Sequence, residues 1–216
     1  MTRMSLGCRT GSGNDSSARA GAGGTPLTTT DTGLLEAGLG VTGSILDAIA
    51  ADQWDLPSPC TEWSVREVAE HLIGGNDLFT RALSGEVPTS PGGAGGVPGA
   101  YRRSAERLLG AFREPGVMEM EVQVPFGTVS GAIALQLRLT EVLVHGWDLA
   151  RATGQTPQFP EEAAEQSLAF TVPMLERIPA GRQPFGPPQP VDRDAPAIDR
   201  LAACLGRTVP HSGREG

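Results

Sequence analysis

Two side chains that can bind a metal ion, Glu141 and His145, stand four residues apart in this chain. On an α-helix that step places both on one face, where a carboxylate oxygen and an imidazole nitrogen can bind the same ion. The chain has three histidines, and one of the others, His71, lies in a second amphipathic helical stretch. The sequence therefore predicts a metal site with His71, Glu141 and His145 as ligands.

An ordinary ion pair is the alternative interpretation of this spacing. Glu and His four residues apart often form a solvated pair, and Arg138 is available as a surface partner for Glu141. Burial favours the metal, because residues 142–144 are apolar and buried polar groups without a shared partner cost free energy. Two histidines and one glutamate, with one position open, are typical of a catalytic zinc site. Zinc is favoured, although nickel, iron and manganese accept the same ligands.

Asp148 follows His145 by three residues and lies on the same helical face. It is a candidate catalytic residue, because a carboxylate that accepts a hydrogen bond from a ligand histidine orients the ring. The alternative is an ion pair of Asp148 with Arg66 or Arg151. This alternative is slightly favoured.

For other residues near the predicted ligands, a role at the site is weighed against a purely structural role. Trp63 and Trp147 either line a pocket or, as is more usual, pack in the core. Gly74-Gly75 offers either close helix packing or room for a ligand. Cys60 is interpreted as structural, because it precedes His71 by about three helical turns, too far for easy ligation.

Composition narrows the class of protein. The net charge is -8, all 17 basic residues are Arg, and no basic cluster is present. This argues against a nucleic-acid partner and excludes chemistry on a lysine. No apolar run is long enough to span a bilayer, so no membrane partner is expected. Three scattered cysteines favour a reducing, cytoplasmic location. The expected partner is a small-molecule substrate, and a homodimer remains open.

Periodicity predicts an all-α fold: a four-helix bundle with a short β-hairpin insertion and a helical C-terminal appendage. A capping box, Ser64 to Glu67, opens the second helix. The predicted domains are a disordered tail (1–30), a bundle (31–155) and the appendage (156–210). The remaining elements are helices at 34–51, 101–112, 130–153, 160–178 and 195–205, strands at 118–124 and 128–129, and a Gly/Pro-rich linker at 85–99.

Two segments carry a resemblance to a known family. Residues 59–72 (PCTEWSVREVAEHL) and 141–154 (EVLVHGWDLARATG) closely resemble signature segments of the mycothiol-dependent maleylpyruvate isomerase N-terminal family. That family belongs to the DinB-like metal-binding helical bundles. Residues 194–207 resemble the closing segment of one of its subgroups. The resemblance extends over residues 32–210.

The resemblance implies a DinB-like bundle whose metal is held by His71, Glu141 and His145, with mycothiol as a second cofactor. It implies a metal-dependent thiol transferase or isomerase, in which a low-molecular-weight thiol adds to or isomerises an electrophilic small molecule. The residues after Gly154 look too short and too helical for the second, α/β domain of the characterised isomerase, so activity towards maleylpyruvate is expected to be weak. A non-catalytic binding or sequestering protein and a metal-dependent hydrolase are the alternatives.

Overall fold

The described part of the chain is mostly helical, with a small two-stranded antiparallel sheet, as predicted. The computed structural model describes residues 31–61, 63–85, 95–124, 127–178 and 185–210. The predicted tail and most of the predicted linker lie outside the described residues. The described elements are α1 (Gly33–Asp47), α2 (Val65–Ser84), α3 (Gly96–Phe112), β1 (Glu121–Val124), β2 (Gly127–Ser130), α4 (Gly131–Ala152), α5 (Glu161–Arg177) and α6 (Ala197–Cys204).

Helix α4 is the centre of the fold. Helices α1, α2, α5 and α6 all pack against it. Residues 142–150 of α4 are all buried, which is the pattern of a helix covered on every side. Polar side chains on that stretch, His145 and Asp148, are therefore held among packed neighbours.

The start of α2 is set by the predicted capping box. The Ser64 hydroxyl accepts a hydrogen bond from the Glu67 amide at 3.3 Å, and the Glu67 carboxylate accepts one from the Ser64 amide at 2.8 Å. Just before it, the chain doubles back, because Pro57 pairs with Ser64 and the Ser58 amide donates to the Trp63 carbonyl at 3.0 Å. The Leu56 and Trp54 carbonyls accept hydrogen bonds from the Val65 and Arg66 amides, so this segment lies alongside the first turn of α2.

Several boundaries differ from the prediction. Helix α3 begins at Gly96 instead of residue 101, because Gly95 has a left-handed φ of 98° and Pro98 lies in the first turn, where its missing N–H is tolerated. Strand β1 is shorter than predicted, since residues 118–120 form turns. Helix α1 ends at Asp47 instead of residue 51, and α6 spans Ala197–Cys204.

The appendage is joined to α4 by polar contacts as well as by apolar packing. The Trp147 indole donates to Asp199 of α6 at 2.6 Å, and Arg151 donates to the same carboxylate at 3.1 Å. Leu201 and Ala202 of α6 are fully buried. The division into a bundle and an appendage at residues 155 and 156 stays a prediction. Within the described segments, no helix has both the length and the apolarity needed to cross a bilayer.

Candidate metal centre

The structure brings His71, Glu141 and His145 together between α2 and α4. The His71 Nε2 and Glu141 Oε2 atoms are 3.0 Å apart, and the His145 Nε2 and Glu141 Oε2 atoms are 3.5 Å apart. The two imidazole rings have centroids 4.9 Å apart. One potential ligand atom from each residue lies within 4.8 Å of the others.

These separations fit a shared metal ion. Ligands at about 2.1 Å from a tetrahedral ion are about 3.4 Å from one another. The His145–Glu141 separation of 3.5 Å matches that value, and the 3.0 Å between His71 and Glu141 is a direct hydrogen bond. Two imidazole nitrogens and one carboxylate oxygen are a donor set that zinc and related divalent ions accept.

Glu141 is an ionised ligand candidate. Burial opposes its ionisation, but hydrogen bonds with His145 and His71 and the nearby charge of Arg138 outweigh burial and hold the pKa of this carboxyl well below its usual range. For His145, burial lowers the pKa, while hydrogen bonds to Asp148 and Glu141 more than compensate and raise it. Both shifts reflect the close grouping of two rings with the carboxylates of Glu141 and Asp148.

Asp148 contacts the other side of the His145 ring. Its Oδ2 atom lies 3.0 Å from His145 Nδ1, and its side chain is fully buried. The alternative interpretation, an ion pair with Arg66 or Arg151, is wrong, because each of these arginines pairs with a different carboxylate. The spacing of three residues on α4 correctly predicts the contact between Asp148 and His145.

Arg207, which no sequence pattern indicates, is the basic partner of Asp148. Its Nε donates to Asp148 Oδ1 at 3.2 Å and its Nη2 donates to Asp148 Oδ2 at 2.8 Å. Arg207 is 6% exposed, and it follows Asp148 by 59 residues. No local pattern links positions so far apart, although an arginine three residues after the apolar helix α6 was a weak signal.

Cys60 lies closer to the site than the sequence predicts, and its structural role stays a prediction. Its sulfur, a His145 nitrogen and an Asp148 oxygen are within 4.8 Å of one another. The expected distance between Cys60 and His71 was counted in helical turns. The segment before α2 is not helical and doubles back on itself. Burial raises the pKa of the Cys60 thiol, and the Arg207 charge partly opposes that effect. These three residues form a poor second metal site, because Arg207 already occupies both Asp148 oxygens.

The two tryptophans have different positions. The Trp63 ring centroid is 4.6 Å from that of His71 and 5.8 Å from that of His145, so Trp63 covers one side of both candidate ligands. Trp147 is 1% exposed and bonds to Asp199. Trp63 therefore lines the site, and Trp147 belongs to the core.

Arg138 is buried beneath the site, so its interpretation as a surface ion-pair partner is wrong. Its Nε donates to Asn76 Oδ1 and its Nη2 donates to the Leu72 carbonyl, both at 2.9 Å. A Cβ atom at Gly75 would overlap the guanidinium, whereas one at Gly74 would meet nothing within 4 Å. Gly75 therefore provides room for an arginine of α4, which is the close-packing interpretation of the glycine pair.

Comparison with known proteins identifies the family. Residues 35–150 match the model of the mycothiol maleylpyruvate isomerase N-terminal domain. Two uncharacterized proteins from two strains of Mycobacterium tuberculosis are each 36% identical to this chain over 167 residues, which is 77% of this chain and 91% of the relative. A crystal structure of a histidine-to-alanine variant of mycothiol-dependent maleylpyruvate isomerase is similar at 21% identity and a TM-score of 0.47, covering 67% of this chain and 68% of that one. The chain belongs to the mycothiol maleylpyruvate isomerase N-terminal domain family.

Proposed function

We propose that this protein binds one divalent metal ion, with zinc favoured, through His71, Glu141 and His145. We propose further that it is an enzyme in which a low-molecular-weight thiol adds to, or isomerises, an electrophilic small molecule. The observation that carries the metal proposal is the convergence of two Nε2 atoms on one Glu141 oxygen, at 3.0 and 3.5 Å. Membership of a family named for mycothiol supports the thiol.

The residues of the site have distinct roles in this proposal. When bound, a divalent ion supplies Lewis acidity, which favours ionisation of a thiol that approaches it. His71, Glu141 and His145 would hold the ion with three protein ligands and would leave a further coordination position for that thiol. Trp63 shields the two rings on one side, and a site with less water strengthens electrostatic interactions.

Asp148 has the role of orienting a ligand. Because Arg207 binds both of its oxygens, the carboxylate is an acceptor, and His145 Nδ1 must carry the hydrogen between them. When the ring is neutral, its lone pair is then on Nε2, which lies 3.5 Å from Glu141 Oε2 and would face a metal ion shared with that carboxylate. Asp148 thus prepares His145 for ligation without itself being a ligand.

The test begins with elemental analysis of the purified full chain, followed by thiol consumption with a panel of electrophiles that includes maleylpyruvate. About one divalent ion per chain and metal-dependent consumption of mycothiol, faster than that of a simple thiol, are expected. Metal binding without any thiol reaction would favour the binding protein. Metal-dependent hydrolysis of esters or amides without a thiol would favour the hydrolase.

A matched pair of variants separates the site from its surroundings. Glu141→Gln should lose both metal and thiol consumption, because an amide oxygen is a weak ligand for a divalent ion. Glu70→Gln removes an exposed carboxylate one residue before His71 and should change neither. Full metal content in Glu141→Gln would contradict the proposed site.

A further inference from the structure

We infer that Arg207 is a positioning residue of the metal centre, which fixes the ring of His145 through Asp148. This inference rests on the proposed metal site. Asp148 lies within the segment that matches the family, residues 35–150, and Arg207 lies 57 residues beyond its end. Residues of the appendage therefore complete the site.

The contact between Arg207 and Asp148 fixes the orientation of the Asp148 carboxylate. Two hydrogen bonds, at 3.2 and 2.8 Å, join the guanidinium to both carboxylate oxygens. Such bidentate pairs fix direction as well as distance. Asp148 is 0% exposed and Arg207 is 6% exposed, so removal of either partner leaves a buried charge without compensation.

The guanidinium is itself held in place. Its Nη1 donates to the Leu205 carbonyl at 2.8 Å, at the end of α6. The Phe185 ring has its centroid 6.0 Å from the Arg207 guanidinium carbon. Because α6 packs on α4, the appendage places this arginine against Asp148 from a rigid element, and not from a free tail.

Arg151 serves as a control, because it distinguishes a positioning role of Arg207 from a purely structural one. Arg151 also joins α4 to the appendage, through Asp199 at 3.1 Å, and its side chain is 34% exposed. Its carboxylate partner does not contact His145, whereas the partner of Arg207 does. Loss of either arginine removes one contact between α4 and the appendage, but only loss of Arg207 releases Asp148.

The experiment measures metal dissociation constants of the full chain by chelator competition in Arg207→Met, Arg207→Lys and Arg151→Met. Arg207→Met should weaken metal binding by about 10- to 100-fold, which is typical when the partner that orients a ligand is lost. Arg207→Lys should be intermediate, because an ammonium group cannot form the bidentate contact. Arg151→Met should bind metal like the wild type. Equal constants for Arg207→Met and Arg151→Met would overturn the inference.

Asp148→Asn completes a double-mutant cycle. If Arg207 acts through Asp148, adding Arg207→Met to Asp148→Asn should weaken binding by much less than it does in the wild type. Independent, multiplicative effects would show that Arg207 acts by another route and would overturn the inference.

A readout without metal keeps the two proposals separate. The ¹⁵N resonances of the neutral His145 ring should report hydrogen on Nδ1 in the metal-free wild type and a mixture of tautomers in metal-free Arg207→Met. An unchanged tautomer in Arg207→Met would contradict the positioning role. A wild-type chain that binds no metal would overturn the proposed function, and the tautomer would still decide the role of Arg207.

Discussion

The guanidinium of Arg138 lies over the bare backbone of Gly75, where a methyl group would overlap it. Arg138 also binds the carbonyl of Leu72, the residue after His71, and it precedes Glu141 by three residues on α4. This contact therefore sets the approach of α2 to α4. The separation of His71 from Glu141 depends on it.

Gly75→Ala should accordingly destabilise the fold and weaken metal binding together. The added methyl group displaces Arg138 from Asn76 and Leu72, and overpacking of this kind costs about 1–3 kcal/mol. Urea unfolding and chelator competition measure the two effects. Gly74→Ala is the control, because its Cβ meets nothing within 4 Å and alanine favours a helix by roughly 0.5–1 kcal/mol. Equal stability of the two variants would contradict the role of Gly75.

His145→Ala should abolish metal binding, because it removes a ligand and also the group that Asp148 orients. His71→Ala should weaken binding to a smaller degree, because the pair that remains on α4 includes His145, the ligand that Asp148 orients. Elemental analysis after dialysis against a low metal concentration measures both. Retention of one ion per chain in His145→Ala would show that the metal lies elsewhere.

Cobalt substitution distinguishes an added thiol from Cys60, whose sulfur is within 4.8 Å of a His145 nitrogen. A low-molecular-weight thiol should produce a sulfur-to-cobalt charge-transfer band, and the same band should appear in Cys60→Ser. A band that is present before any thiol is added, and is lost in Cys60→Ser, would identify Cys60 as the fourth ligand. In that case the proposed open position would be wrong.

Ser64→Ala should destabilise the protein by about 1 kcal/mol, because it removes the N-cap acceptor of α2. Thermal unfolding measures the loss. Ser44→Ala is a suitable control, since Ser44 is exposed on α1 and its hydroxyl bonds only within that helix, to the Gly40 carbonyl. A loss in Ser44→Ala as large as that in Ser64→Ala would indicate that the cap is not responsible.

The same capping box predicts a dependence on pH. Hydrogen bonds from the Ser64 backbone and side chain lower the pKa of Glu67. A carboxyl whose pKa is lower in the folded state stabilises the fold above its unfolded pKa, and this contribution is lost as the pH falls. The difference in unfolding free energy between the wild type and Glu67→Gln should therefore shrink in acid. A difference that is constant from neutral to acidic pH would contradict the assignment.

The sequence was sufficient for features that depend on local spacing. The four-residue step from Glu141 to His145, the three-residue step to Asp148 and the capping box at Ser64 are all present as predicted, because each follows from helix geometry. His71 could be paired with them because histidines are rare in the chain.

Features that depend on contacts made by loops or by distant segments were not predicted. Cys60 approaches His145 because the loop before α2 doubles back, and Arg207 reaches Asp148 only after α5 and α6 have packed on α4. The start of α3 was placed five residues late, because the glycines and the proline at 95–99 were interpreted as a linker. In each case tertiary contacts or a left-handed residue outweighed the local pattern.

The contacts from His71 through Glu141, His145 and Asp148 to Arg207 form one continuous series across three parts of the chain. By thermodynamic linkage, an ion that binds better when Arg207 is docked also favours docking, and by the same factor. Backbone amides of residues 197–207 should then exchange hydrogen more slowly in the metal-loaded protein than in the metal-free protein. Occupancy of the site can thus be read at the far end of the chain, in a segment that contributes no ligand.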